Sequence, residues 1–255
     1  MKASVLEAVK DIVLSSANIV FFGGAGVSTA SGVPDFRSAT GLYNQHRGSR
    51  HPLETMLSHA FFLRHPREFY DYHLNNLVPR KAKPNPAHLA LAALEGAGKL
   101  KAIITQNIDG LHQAAGSKNV IELHGNTHDF YCVGCGETYD LSFVDSVNAL
   151  PPICPICGKM VRPDVVLYGE ALDSEVMQAA INAIQCADVL LVGGTSLVVF
   201  PAAGLLDSYN GDKLILINRE VTSFDEQANY ILHGDIAQIL PIIAGIPAFQ
   251  RPFIN

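Results

Sequence analysis

Asn18-Ile19-Val20-Phe21-Phe22 runs directly into Gly23-Gly24-Ala25-Gly26, a short unbroken apolar segment that ends in a glycine loop. With no polar alternation, the segment reads as a strand buried on both faces. The same grammar recurs along the chain. Lys101-Ala102-Ile103-Ile104-Thr105 ends in Gln106-Asn107-Ile108-Asp109-Gly110. Asp188-Val189-Leu190-Leu191-Val192 ends in Gly193-Gly194-Thr195-Ser196, and Lys213-Leu214-Ile215-Leu216-Ile217 ends in Asn218-Arg219-Glu220. Shorter candidates are Val120-Ile121-Glu122-Leu123 before His124, and Asn229-Tyr230-Ile231-Leu232. Helical patterns over residues 87–97 and 174–185 separate several of these runs. Apolar strands alternating with helices predict an α/β fold, a parallel sheet covered by helices on both faces. Ligands of such sheets bind beyond the carboxyl ends of the strands, where each polar or glycine-rich cluster just quoted lies.

Two segments break the alternation. Residues 39–83 are rich in His, Arg, Phe and Tyr without strand runs and read as loops and short helices; residues 126–161 hold four cysteines. Both look like insertions that together build a smaller domain, with a cleft between it and the larger one as the natural site. A chain of 255 residues suits that arrangement. The boundaries expected are 1–38, 84–125 and 162–255 for the larger domain, and a helical module 39–83 plus a metal module 126–161 for the smaller. The tail, residues 245–255, either packs on the sheet or flexes.

Basic residues number 18 and acidic ones 24, a formal charge of −6, so the chain offers no overall positive field for phosphates. No apolar run reaches the roughly 18 to 20 residues of a membrane span. Glu7, Lys10 and Asp11 interrupt the first apolar pattern, which reads as an amphipathic helix and not as a secretory peptide. A cytoplasmic location is expected.

Of five cysteines, Cys132 and Cys135 form one Cys-x2-Cys pair and Cys154 and Cys157 another, with 18 residues between them. Glycine or proline flanks each pair (Gly134, Gly136, Gly158, Pro152, Pro155), as in zinc knuckles. Four thiolates close the coordination sphere, so the expected zinc is structural and leaves no open position for chemistry. Two disulfides would imply a secreted protein, against the reading of the N-terminus. Cys186, left over in an apolar helical stretch, is expected in the core.

Gly24-Ala25-Gly26 can bring backbone N–H groups close to a phosphate, with the next helix N-terminus adding positive charge. The dinucleotide pattern G-x-G-x-x-G fails at Thr29, and no acidic residue follows a second strand about 20 positions on, so a plain strand–helix turn stays open. Gly32-Val33-Pro34-Asp35-Phe36-Arg37 could form a loop ordered by Asp35–Arg37 pairing with Phe36 as an apolar lid, or an ordinary surface loop. Gln106, Asn107 and Asp109 at a strand end suit hydroxyls or a carboxamide. His124 at the next strand end is either a structural residue or the general base.

Taken together, GAGVS (24–28), GVPDFR (32–37), TQNIDGLH (105–112), ELHG (122–125), the paired Cys-x2-Cys, RPDVVLYGE (162–170) and GTSLVVFPAA (194–203) resemble the sirtuin family, NAD-dependent protein deacylases, in the family's order. The similarity is nearest the bacterial deacetylase-like branch. It implies a Rossmann-like large domain, a smaller zinc-ribbon and helical domain, and NAD and acyl-lysine peptide entering one cleft from opposite sides. Carried over, Ala25, Thr29, Phe36 and Arg37 line the NAD pocket. Gln106 and Asn107 contact the nicotinamide ribose region, and Ile108 and Asp109 receive the carboxamide. Thr195, Ser196, Asn218 and Arg219 hold the adenosine half, with Asp235 or Ile236 near the adenine. The zinc ligands map to Cys132, Cys135, Cys154 and Cys157. Val165, Val166, Leu167, Tyr168 and Gly169, with Leu197, Val198, Val199 and Phe200, sandwich the peptide as an added strand.

The resemblance also implies the chemistry. The acyl oxygen attacks the ribose carbon that nicotinamide leaves. His124 then takes a proton from a ribose hydroxyl, which attacks the acyl carbon, and with uptake of one water this gives free lysine and O-acyl-ADP-ribose. NAD is consumed as a co-substrate. Relatives that prefer succinyl or malonyl groups carry a Tyr-x-x-Arg pair; here the positions hold Tyr70 and His73, so acetyl or another uncharged acyl group is expected over succinyl. Two other readings compete. A protein mono-ADP-ribosyltransferase shares the first bond cleavage, and a non-enzymatic NAD-sensing or zinc-ribbon module needs no turnover. Direct nucleic-acid binding is not expected, because residues 126–160 hold only Lys159 against Asp129, Glu137, Asp140 and Asp145.

Overall fold

The structure is a computed structural model that describes residues 3–38, 41–45 and 50–246; the last nine residues of the tail lie outside it. Among the described residues, six strands form one parallel sheet in the order β3-β2-β1-β7-β8-β9. They are β1 (Ile19–Gly23), β2 (Leu100–Thr105), β3 (Val120–Glu122), β7 (Val189–Gly193), β8 (Leu214–Asn218) and β9 (Tyr230–His233). A smaller antiparallel sheet, β5-β4-β6, joins β4 (Gly125–Cys132), β5 (Thr138–Asp140) and β6 (Val161–Val165). All six apolar runs read from the sequence are strands of the large sheet.

Why those runs carry no polar alternation is visible in their packing. Every residue of β1, β7 and β8 is buried. Successive side chains of a strand point to opposite faces. Thus Ile19, Phe21, Val189, Leu191, Ile215 and Ile217 enter one core, under the helices Ala3–Ser15, Pro86–Gly96 and Ile236–Ile243. Val20, Phe22, Leu190, Val192, Leu214 and Leu216 enter the other, under the helix Ser174–Cys186 and the 3-10 segment Ala202–Ser208. Each fully buried Leu, Ile or Phe contributes about 2 kcal/mol against leaving it exposed, so both faces demand apolar residues.

A third core unites the two segments that break the alternation. Leu53, Phe61, Phe62, Phe69 and Tyr70 pack with Phe130, Val144, Val161, Val165 and Leu167. Residues 39–83 supply short helices, among them His59–Arg64 and Pro66–Tyr72. Strand β6 runs across the expected division at residues 161/162 and places Val165 opposite Gly125 in the small sheet. Cys186 departs from expectation: it is exposed. The buried stripe of its helix carries Ala180 and Ile184, and a residue two positions past Ile184 points to the other side. No described helix is long and apolar enough to cross a membrane.

The strand order fixes the site. From β1 the chain builds outward through β2 and β3, then returns to β7 on the other side of β1, so the crevice opens between the carboxyl ends of β1 and β7. There two glycine loops touch. The Gly26 N–H donates to the Gly194 carbonyl at 2.7 Å, and the Gly24 N–H to the Gly193 carbonyl at 3.4 Å. A Cβ on Gly26 would lie 2.8 Å from Gly194 Cα; one on Gly194, whose φ is +61°, would lie 2.5 Å from the Val27 nitrogen. Gly26→Ala should therefore lower stability by roughly 1–3 kcal/mol, seen as a fall in the thermal midpoint. A midpoint equal to the wild type would show that the loops do not need this contact.

Candidate functional site

The glycines between β1 and the next element make a contact with a second loop. The N–H groups of Gly24 and Gly26 are spent on the second glycine loop, and residues 25–31 form two 3-10 turns, Ala25–Val27 and Thr29–Ser31, not the start of an α-helix. What the glycines permit is backbone-to-backbone approach. The same edge is tied across the sheet by side chains. Gln106 Nε2 donates to Thr195 Oγ1 at 3.0 Å, and Asn107 Nδ2 donates to the Gly24 carbonyl and Ser28 Oγ, each at 3.1 Å. Asn218 answers Thr195 twice, its Oδ1 accepting from the Thr195 N–H and its Nδ2 donating to the Thr195 carbonyl.

Above this edge lies a cavity of about 870 Å³. Its wall includes Ala25, Thr29, Phe36 and Arg37; Gln106, Asn107, Ile108 and Asp109; Thr195, Ser196, Asn218 and Arg219; Asp235 and Ile236; and His124. Val165, Val166, Leu167, Tyr168 and Gly169 line it from the small sheet, and Val198, Val199 and Phe200 from beyond β7. Leu197 is the exception. Its backbone turns through φ +55°, and its side chain is buried in the core beneath the sheet instead of facing the peptide side. Arg219 donates to Asp235 at 2.9 Å, while Asp235 also caps the helix Ile236–Ile243 through the Ala237 N–H.

Asp35 orders its loop, though not through Arg37's guanidinium. Its Oδ1 accepts from the backbone N–H groups of Arg37 at 2.9 Å and Ser38 at 2.7 Å, and the Arg37 guanidinium lies over the Tyr43 ring. A carboxylate two residues before an N–H closes such a turn more readily than it reaches a long side chain.

Asp109 stands at the end of a chain of oriented donors. The Asn85 N–H donates to His88 Nδ1 at 3.2 Å, which fixes the other nitrogen as the protonated one. His88 Nε2 points at Ser28 Oγ at 3.4 Å, and Ser28 Oγ donates to Asp109 Oδ2 at 2.6 Å. Burial lowers the His88 pKa to about 4, with Asp109 opposing, so the imidazole is neutral as this chain of bonds requires. Asp109 Oδ1 accepts the Leu111 N–H at 2.9 Å. Ser28 and His88 were not among the residues singled out from the sequence. Ser28 stands within GAGVS, but nothing in its spacing says that its hydroxyl is buried against a carboxylate 81 positions away.

His124 projects into the cavity from the end of β3. Its Nδ1 lies 2.8 Å from the Gln106 carbonyl oxygen. A carbonyl only accepts, so Nδ1 carries the proton and Nε2 keeps the lone pair, as a base needs. Burial lowers the His124 pKa, and the bond to the Gln106 carbonyl opposes that. The His124 carbonyl accepts the Val166 N–H at 3.0 Å, which ties the catalytic candidate to the peptide-side stretch.

That stretch is already docked. Tyr168 donates its N–H to the Leu57 carbonyl and accepts from the His59 N–H, both at 3.0 Å, and Leu167 N–H donates to Glu170 Oε2. Val198 and Phe200, also on the cavity wall, are exposed. Behind it, Arg162 grips Glu170 with two bonds of 2.6 and 3.0 Å and packs over the Phe62 and Tyr131 rings. His59 Nδ1 reaches the same carboxylate at 2.6 Å.

The four cysteine thiols gather with all ligand atoms within 4.8 Å of one another, sulfurs 3.3 Å apart for Cys132–Cys157 and 3.7 Å for Cys135–Cys154. Tetrahedral zinc with bonds of about 2.3 Å sets sulfurs about 3.8 Å apart, so the donor set and its spacing fit a structural zinc. The two knuckles match: Gly136 and Gly158 both turn left-handed, donating to the carbonyls of Cys132 and Cys154.

Glu170 yields a pH-dependent prediction. Burial raises its carboxyl pKa, but bonds from Arg162, Leu167 and His59 outweigh that and hold it at about 2. Its unfolded value is the ordinary 4.5. A depressed carboxylate contributes stability that is complete above the unfolded pKa and is lost as pH falls toward the folded one. Glu170→Gln should cost about 2 kcal/mol at neutral pH, and its deficit in thermal midpoint should shrink below pH 4.5. A deficit that stays constant with pH would contradict this.

Comparison with known proteins agrees with this geometry. Residues 24–201 match the Sir2 family. The chain is 51% identical over 238 residues to an NAD-dependent protein deacetylase of Clostridium acetobutylicum, covering 93% of this chain and 97% of that protein. It is 43% identical to one of Staphylococcus epidermidis over 240 residues, covering 94% and 97%. A solved structure addressing the mechanism and regulation of Sir2 enzymes superposes with a TM-score of 0.85 at 40% identity, covering 96% and 98%. A Sir2 protein bound to acetylated peptide superposes at 0.80 with 37% identity, covering 94% and 97%. With the parallel sheet, the glycine-bridged crevice and the four-cysteine cluster in place, this chain belongs to the Sir2 family.

Proposed function

We infer that this protein is an NAD-dependent protein-lysine deacylase that moves the acyl group of a modified lysine to ADP-ribose and releases nicotinamide. One observation carries the reading: His124 presents an unprotonated Nε2 to a cavity lined on one side by the glycine edge and on the other by the docked stretch around Tyr168. The cavity volume, glycine edge and polar strand ends fit NAD. When bound, NAD supplies an electrophilic ribose carbon with nicotinamide as its leaving group.

The chain's own residues do the rest. Asp109, oriented by Ser28 and His88, accepts from the carboxamide. Ile108 exposes its edge to the same end, and Gln106 and Asn107 hold hydroxyls of the adjoining ribose. Thr195, Ser196, Asn218 and Arg219 hold the adenosine half, with Asp235 and Ile236 beside it. His124 Nε2 takes a proton from a ribose hydroxyl, and Nδ1 stays bonded to Gln106 while the ring is charged. The zinc at Cys132, Cys135, Cys154 and Cys157 folds the small module and takes no part in bond making. The domain division expected from the sequence, the larger domain binding NAD and the smaller one carrying zinc, accompanies this reading. So does a cytoplasmic location, where thiols stay reduced.

The acyl group is uncharged. Tyr70 is fully buried, its hydroxyl donating to the Val161 carbonyl, and it does not line the cavity. Burial lowers the His73 pKa to about 4, so no cation stands at that position at neutral pH. An acetyl-lysine peptide should exceed its succinyl counterpart in kcat/KM by roughly tenfold or more. Succinyl preferred over acetyl would sink that part of the reading.

For the reaction itself, nicotinamide release should require acyl peptide, and His124→Ala should lower kcat/KM by at least about a hundredfold. The lone pair is available only while the imidazole is neutral. Activity should therefore fall on the acid side with a midpoint below the ordinary histidine value of 6.5. Nicotinamide release that ignores the peptide, or deacylation that survives in His124→Ala, would contradict the assignment.

A further inference from the structure

Two walls of the cavity meet at a pair of phenol hydroxyls that the chemistry at His124 does not use. Tyr43 and Tyr168, 125 positions apart in the chain, share a hydrogen bond of 2.8 Å between their hydroxyl oxygens. Tyr168 stands in the stretch 165–169 proposed to hold the peptide, and it lines the cavity. Its N–H donates to the Leu57 carbonyl and its carbonyl accepts from the His59 N–H, so the ring rises from an anchored backbone.

Tyr43 belongs to the other wall, behind the loop proposed to cover NAD. The Leu42 N–H donates to the Asp35 carbonyl at 2.8 Å and the Tyr43 N–H to the Phe36 carbonyl at 3.0 Å, which sets the two segments side by side. The Phe36 and Tyr43 rings lie 6.1 Å apart, and the Arg37 guanidinium carbon stands 5.6 Å from the centre of the Tyr43 ring. Phe36 and Arg37 line the cavity, whereas Tyr43 stands behind them. Any shift of Tyr43 therefore carries both with it. Leu42 enters the third core and holds one end of this unit, while Arg37 is exposed. A segment with few buried contacts opens readily, and a bond to an anchored ring limits that opening. Phenylalanine at either position would keep the ring contacts; what the hydroxyls add is the bond across. Burial raises the Tyr43 pKa and the bond to Tyr168 raises it further, so this hydroxyl stays protonated.

We propose that Tyr43 and Tyr168 are positioning residues that fasten the two walls together: on the deacylase reading above, on which this rests, the Tyr168 hydroxyl holds Phe36 and Arg37 in place for NAD by way of Tyr43, without touching NAD. Removing one oxygen from the peptide-side wall then weakens the ligand on the opposite side.

The test is calorimetry of NAD binding to the full chain without peptide, for the wild type, Tyr168→Phe, Tyr43→Phe and the double variant. Each single substitution should raise the NAD Kd by roughly two- to tenfold, the worth of one neutral hydrogen bond. The double variant should bind no more weakly than the singles, because all three lack the same bond. The KM for NAD should rise with the Kd. An unchanged NAD Kd in Tyr168→Phe, with only the peptide KM altered, overturns the proposal. So does a weakening that Tyr43→Phe fails to share, or single effects that add in the double variant, since either would mean separate contacts with the ligand. A wild type that binds no NAD would instead overturn the deacylase reading itself.

Discussion

The fold and the site both turn on one backbone contact. Gly26 donates to Gly194 across the point where the sheet reverses its direction of growth, and neither position has room for a Cβ. That contact sets the distance between the two strand ends that floor the crevice. From it the remaining edge residues take their places: Thr195 within reach of Gln106 and Asn218, Asn107 over Gly24, Ser28 against Asp109. A preorganised set of this kind leaves little reordering to be done when a ligand enters, which is where binding free energy is otherwise lost.

The opposite wall is built on different principles. A small module of short helices and one three-stranded sheet has few layers to bury, and it takes its rigidity from a third core, the thiol cluster and the Arg162–Glu170 pair. Tyr168 is clamped to Leu57 and His59, and Val166 to His124. His124, the proposed base, and the stretch proposed to hold the peptide are therefore one bonded unit. His124 sits where that unit meets the sheet. Acyl chemistry demands the same meeting point, since the base has to reach a sugar while the peptide backbone stays fixed.

Much of this was legible in the chain. Strands buried on both faces announce themselves as unbroken apolar runs, and all six were found that way, within a residue at most ends. The paired Cys-x2-Cys spacing encodes a local geometry, so the cluster followed from sequence alone. Less legible was anything that depends on contacts between distant segments. The glycine loop was left between a phosphate-approaching loop and a plain strand–helix turn, because its partner, Gly194, lies 168 positions away. Ser28, His88 and Arg162 were passed over for the same reason. Leu197 was assigned to the peptide side with the rest of its motif by resemblance, and a run of hydrophobic residues does not reveal that its first member turns through a positive φ into the core. Cys186 looked buried by residue type, but helix phase, not type, decides which side an end residue faces.

As the proposed base, His124 serves an acyl transfer to ADP-ribose and not a simple hydrolysis of the amide, and the products distinguish the two. Mass spectrometry of a single-turnover mixture of protein, NAD and acetyl-lysine peptide should show nicotinamide, unmodified peptide and acetylated ADP-ribose in equal amounts. Free acetate with intact NAD, or ADP-ribose attached to protein, would contradict the assignment of this cavity.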